Sequence, residues 1–291
     1  MSLPSFPQDA FNTRQPPASK PGIIPLRPLT VGEILGAAVQ VVRRHFLLLA
    51  AASLVVSALG TLAIWGVLAG NGQIELFVTE SWLSPALNGT GSIPGSVLAA
   101  AAVRLLVSVV GGVLIAGLAT VCAAQDTLGK PTGRAEWRDR LTRRLPLLIG
   151  LSLLVAVAVG LGLVVLIVPG VLIYLAWLVA TPVAVLERST IGVSLNRSVQ
   201  LTAGERGRLL GLVAAVLAVT VLLSFFVTSL IGGLLADLSP TGALLVSEAT
   251  SAAVTLFTGP WAGAVTALAY IDLRIRKENL APTLAAAAAV S

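Results

Sequence analysis

Long apolar runs alternate with short polar, arginine-rich stretches along this chain. The apolar runs are 46–69, 97–124, 147–168, 171–186, 209–235 and 250–271. A helix rises ~1.5 Å per residue, so a hydrocarbon core of ~30 Å needs about 20 apolar residues. Six runs meet that length, with 171–186 reaching it only when its flanks are added. In lipid the backbone must satisfy its own hydrogen bonds, which leaves helices as the natural element for each run. The pattern predicts an all-α, polytopic membrane helix bundle with six transmembrane helices, contained within residues 29–280.

The stretch 147–186 is too long for one span and suits two. Pro169-Gly170 lies near its midpoint and is read as the turn between spans three and four, because proline disfavours a preceding helical residue and glycine permits left-handed backbone. Pro182 then falls in the last turns of span four and is expected to kink it. Pro260, beside Trp261 in span six, is a second expected kink.

The polar stretches carry a second pattern. Before each odd-numbered span lies a basic segment with helical periodicity. In TVGEILGAAVQVVRRHF (30–46), Thr30 and Glu33 have capping-box spacing, and Ile34, Leu35, Ala38 and Val42 share a face. In TGRAEWRDRLTRRLP (132–146), Trp137 and Leu141 are four apart. In STIGVSLNRSVQLTAGERGRLL (189–210), Ile191, Leu195, Val199 and Thr202 form a stripe. Each returning span ends at an acid: Asp126, Glu187 or Asp272. The chain thus reads as three units of amphipathic interfacial helix plus hairpin, arising either from internal duplication or from charge placement alone.

Charge sets the orientation. Eighteen of the 19 Lys and Arg residues fall on one side of the predicted spans, and the other side carries Glu75, Glu80, Asp237 and Glu248. The positive-inside rule places both termini in the cytoplasm. Composition agrees with a membrane protein: 56% of residues are hydrophobic, 11% are charged, and mean hydropathy is +0.94. Soluble domains carry about 25% charged residues. The Arg-over-Lys and Ala/Val/Leu/Gly bias fits a bacterial protein, and the expected location is the bacterial plasma membrane. The first apolar run begins too late and runs too long for a cleavable signal peptide. Residues 1–28, with seven prolines, are expected to be a disordered cytoplasmic tail, and 281–291 to be loose.

Candidate chemistry is sparse. There is one histidine, His45, and one cysteine, Cys122. No His/Cys/Asp cluster has metal-ligand spacing, no nucleophile or phosphate-loop motif is present, and no cofactor is expected. Asn88-Gly89-Thr90 matches a glycosylation acceptor, as expected by chance in a bacterium. Arg104 is the one basic residue off the basic side. It either snorkels at the outer interface or lies inside the bundle, touching an anionic headgroup or pairing with Glu248 or Asp237. The other candidates for lipid or partner contact are Arg43, Arg44, Arg143, Arg144, Arg206 and Arg208, because basic interfacial segments attract anionic headgroups. Membrane lipids are the expected partners, with a membrane protein or a second copy possible and nucleic acid not expected.

Four stretches, LTVGEILGAAVQVVRRHF, PGVLIYLAWLVATPVAVLE, SLNRSVQLTAGERGRLLG and ALAYIDLRIRKENL, resemble the glycerophosphoryl diester phosphodiesterase membrane domain family, near the YciC-like proteins. The resemblance spans most of 29–280 and implies a six-span bacterial membrane protein. Members fused to a soluble phosphodiesterase domain give the family its name. That domain needs histidine and metal-binding carboxylates, so the enzymatic name does not carry over to this chain. The expected function is a non-enzymatic scaffold, regulator or lipid-interacting protein. The alternative is a small transporter or lipid translocator using a cavity near Arg104 and the kinked spans four and six.

Overall fold

The computed structural model describes residues 22–25, 27–72, 81–128, 144–235 and 239–278. Within them the regular structure is α-helical throughout. The helices are α1 (Val31–Arg44), α2 (Phe46–Gly70), α3 (Leu83–Leu87), α4 (Gly95–Thr127), α5 (Leu145–Val165), α6 (Ile167–Trp177), α7 (Ala180–Leu186), α8 (Ile191–Thr202), α9 (Arg206–Leu235) and α10 (Pro240–Glu278). Six stretches are long and apolar enough to cross a membrane: α2, α4, α5, α6 with α7, α9 and α10. The chain is an all-α polytopic helix bundle, and its spans fall where the apolar runs place them.

α4 and α10 form the centre. They pack on each other and on α1 and α2, while α5 and α7 cover another side of α4. Small residues permit the close approach: a Cβ on Gly263 would lie 2.9 Å from the Ala116 Cα, and one on Gly111 would overlap the Val56 side chain. Lipid offers no hydrophobic force to drive spans together, so such close backbone contact and van der Waals packing carry the association. α9 leans mainly on α10, and its apolar side chains, among them Leu222, Phe225 and Phe226, are exposed.

α1 begins with the expected capping box. The Glu33 amide donates to Thr30 Oγ1 at 3.3 Å, and the Thr30 amide donates to Glu33 Oε2 at 2.8 Å. Ile34, Ala37, Ala38, Val41 and Val42 are buried, so α1 lies against the bundle. His45 alone separates it from α2.

The turn between spans three and four is displaced from the sequence expectation. The break is at Leu166, whose backbone is extended (φ −162°, ψ 143°). Pro169 and Gly170 lie inside the first turn of α6, where a missing N–H costs nothing because no intrahelical acceptor exists for it. Gly170 still has a task there: a Cβ on Gly162 would come within 2.8 Å of the Gly170 Cα, so the hairpin closes backbone to backbone. Pro182 does interrupt span four. α6 ends at Trp177, and Pro182 sits in the first turn of α7, four residues past Leu178, where its ring opposes a continued helix. Pro260 is accommodated within a continuous α10.

Two further differences concern the edges. Ile23 and Ile24, inside the segment 1–28 expected to be disordered, are buried, and the Ile23 amide donates to the Asp126 carbonyl at 3.1 Å. These two apolar residues anchor an otherwise proline-rich segment. On α8 the buried face is Ser194, Ser198, Leu201 and Thr202, rotated from the predicted stripe. The Ala176 carbonyl, at the interruption of span four, accepts from Ser198 Oγ at 2.8 Å and Thr202 Oγ1 at 3.2 Å. The predicted interfacial segment at 132–143, and residues 1–21 and 279–291, lie outside the described residues.

Candidate functional site

The three acids that end the returning spans are hubs of one polar layer at the basic end. Asp272 on α10 is fully buried. Its Oδ2 accepts from Arg208 at 2.5 Å and Arg276 at 3.0 Å, and its Oδ1 from the Leu29 amide at 2.6 Å. The same two arginines also donate to the Leu29 carbonyl. One carboxylate therefore ties α9, α10 and the segment leading into α1. Glu187, just past α7, accepts from the Tyr270 hydroxyl at 2.7 Å and pairs with Arg197 at 3.4 Å. Arg197 also pairs with Glu278, which accepts from Arg274 Nε at 2.7 Å. Lys277 donates to the Gln200 and Ala203 carbonyls, which closes the C-terminal end of α8.

Asp126 on α4 is the third hub and is less completely satisfied. His45 Nε2 is 3.2 Å from its Oδ1 and Arg44 is 3.6 Å from it, while Oδ2 is buried with no partner.

At the opposite end, Arg104 Nη2 donates to Glu248 Oε1 at 2.6 Å. Glu248 is nearly buried and Arg104 is half exposed. The pair ties α4 to α10 and borders a cavity of about 140 Å³ whose lining mixes Ser57, Thr61 and Thr255 with Val56, Ile64 and Val107. The structure shows the Arg104–Glu248 pair that the sequence offered, with Arg104 itself half exposed; Asp237 lies outside the described residues.

Two apolar cavities flank α9. One, of about 320 Å³, lies among α5, α6, α9 and α10 and is bordered by Leu163, Gly170, Tyr174, Val213 and Val265. The other, of about 530 Å³, lies between the α1–α2 junction, α9 and α10. Its walls include Val42, Phe46, Leu223, Phe257 and Trp261, and Arg43 borders it. Phe46 stacks on Phe257 with ring centroids 5.8 Å apart, and Trp261 Nε1 donates to the Leu35 carbonyl at 3.3 Å, so this wall is fixed.

The seven candidate arginines thus divide. Arg44, Arg104 and Arg208 pair with acids, and Arg144 donates to the Ser189 carbonyl at 3.2 Å. Arg206 has its Nε buried without an acceptor, and Arg143 is outside the described residues. Arg43 is exposed and has no partner among the described residues. The sequence signals the three hub acids by their position at span ends; Tyr270 and Arg197 carry no such signal. Among the described residues no three His, Cys, Asp or Glu side chains converge as a metal site would require. No protein-family model, curated protein or solved structure matches this chain.

Proposed function

We propose that the chain is a non-enzymatic plasma-membrane protein that works by holding a lipid or a membrane partner at its lateral surface. The observation that carries this reading is the setting of α9, which leans on α10 and has an apolar cavity on each flank. The charged groups of the basic end are mostly engaged with one another, which suits a fixed frame. We further place it in the bacterial plasma membrane with both termini in the cytoplasm. The distribution of 18 of 19 basic residues supports this. The resemblance to the glycerophosphoryl diester phosphodiesterase membrane domain family belongs to the same proposal. Native purification with cross-linking and mass spectrometry tests it. A stoichiometric lipid or protein on α9 and its flanks is the expected result; a bare protein would overturn it.

A second reading, a small transporter or lipid translocator, is favoured by the cavity bordered by the Arg104–Glu248 ion pair. Intramembrane ion pairs mark substrate pathways in many membrane proteins. It predicts a flux in liposomes that Arg104→Ala abolishes while the protein still folds. A flux that survives this substitution would sink it.

A further inference from the structure

The groove between the α1–α2 junction, α9 and α10 combines three properties. It is large, about 530 Å³, within the range of roughly 300–1,000 Å³ for ligand cavities. It opens on the bundle surface, since Val39 and Phe257 on its lining are 46% and 51% exposed. Its lining is apolar but for Thr258 and one cation, Arg43, which lies two residues from His45 in the polar layer of the basic end.

Apolar walls select little within a membrane, because an acyl chain is as apolar as leucine. The selecting element is Arg43. The neighbouring arginines are occupied: Arg44 by Asp126, and Arg208 by Asp272 and the Leu29 carbonyl. Arg43 lines the cavity with no partner for its guanidinium among the described residues. A guanidinium matches phosphate oxygens with two parallel hydrogen bonds.

Resting on the lipid-holding form of the reading above, we infer that this groove is a binding site for one anionic phospholipid of the leaflet at the basic end. Its acyl chain lies along Phe46, Leu223 and Phe257, and its phosphate sits on Arg43. A partner helix fits less well, because the groove is lined by a cation that an apolar helix face would leave unpaired.

The test uses the full chain in nanodiscs of mixed phosphatidylglycerol and phosphatidylcholine, with retained lipid identified by native mass spectrometry. Arg43→Gln removes the headgroup contact. Val219→Trp fills the groove and keeps the charge. Arg27→Gln removes a basic-end cation that pairs with Glu33 and does not line the groove. The wild type is expected to retain one phosphatidylglycerol. Arg43→Gln should lower the preference for it about fivefold, equivalent to ~1 kcal/mol for one basic residue at a membrane surface. Val219→Trp should lose the lipid, and Arg27→Gln should retain it. Equal losses in Arg43→Gln and Arg27→Gln would overturn the site, leaving only general surface attraction. So would retention undiminished in Val219→Trp. A wild type that holds a protein across the groove in place of lipid would also overturn it, yet leave the partner-holding form of the proposed function standing.

Discussion

The two ends of the bundle are held by different means. At the basic end Asp126, Glu187 and Asp272 bind cations, hydroxyls and backbone amides from helices far apart in sequence. At the opposite end, among the described residues, one ion pair, Arg104 with Glu248, joins α4 to α10. A small apolar cluster of Ile64, Leu68 and Ala100 packs nearby, with the Trp65 indole N–H buried and unpartnered. The basic end therefore acts as a clamp with redundant polar ties, and the opposite end depends on shape. This difference follows from the charge asymmetry. A protein that keeps its arginines on one side must either leave them to lipid and water or supply acids to receive them. Here each returning span supplies one acid at the basic end.

The strongest way to break the contrast is Asp272→Ala. It would leave Arg208 and Arg276 without their carboxylate and the buried Leu29 amide without its acceptor. Removing one member of a buried pair costs about 3–5 kcal/mol. The two arginines are 21% and 28% exposed and regain some solvation, which puts the expected loss near ~3 kcal/mol. Chemical unfolding in detergent measures it. A loss below about 1 kcal/mol would mean that the polar layer is not the clamp described here.

At the opposite end the expected effect is smaller, because Arg104 is 46% exposed. Arg104→Gln should cost about 1 kcal/mol, most of it from leaving the nearly buried Glu248 unpaired. The exchange Arg104→Glu with Glu248→Arg sharpens the comparison. It should recover much of that loss if the contact is a simple ion pair, and a double-mutant cycle gives the coupling. Single substitutions whose effects merely add would show that the pair carries no coupling and that the opposite end is held by shape alone.

The sequence announces the parts of this architecture that depend on neighbours along the chain. The apolar runs mark the spans, and Thr30 with Glu33 marks the start of α1. Pro182 marks the interruption between α6 and α7. What depends on packing across the chain is hidden. The pairing of Leu29 with Asp272 joins residues 243 positions apart, and that of Tyr270 with Glu187 joins residues 83 apart. Either acid had several arginines to choose from. Pro169-Gly170 shows the ambiguity of a local signal: the pair reads equally as a turn or as the opening of a helix. The contact of Gly170 with Gly162 puts it in the helix. The stripe on α8 misleads for a related reason. Serine and threonine face inward there because the interrupted span four presents a carbonyl to them.

Glu33 offers the smallest and most local probe of the basic end. It is exposed, and its carboxylate is held at a pKa of about 2, below the ordinary 4.5. The Thr30 amide is the chief cause, followed by Arg27 and the Thr30 hydroxyl. A carboxyl depressed on folding contributes stability that is complete above about 4.5 and is lost as pH falls through about 2. The protection of the first turn of α1 should therefore fall progressively as pH drops from about 4.5 to about 2. Hydrogen exchange at the Thr30 and Glu33 amides reads this directly. Glu33→Gln keeps a capping acceptor but cannot ionise, so its protection should be nearly flat over the same range. A wild type as flat as Glu33→Gln would show that the capping contacts do not hold the carboxylate. The start of α1 would then behave as an ordinary surface helix end, separate from the clamp.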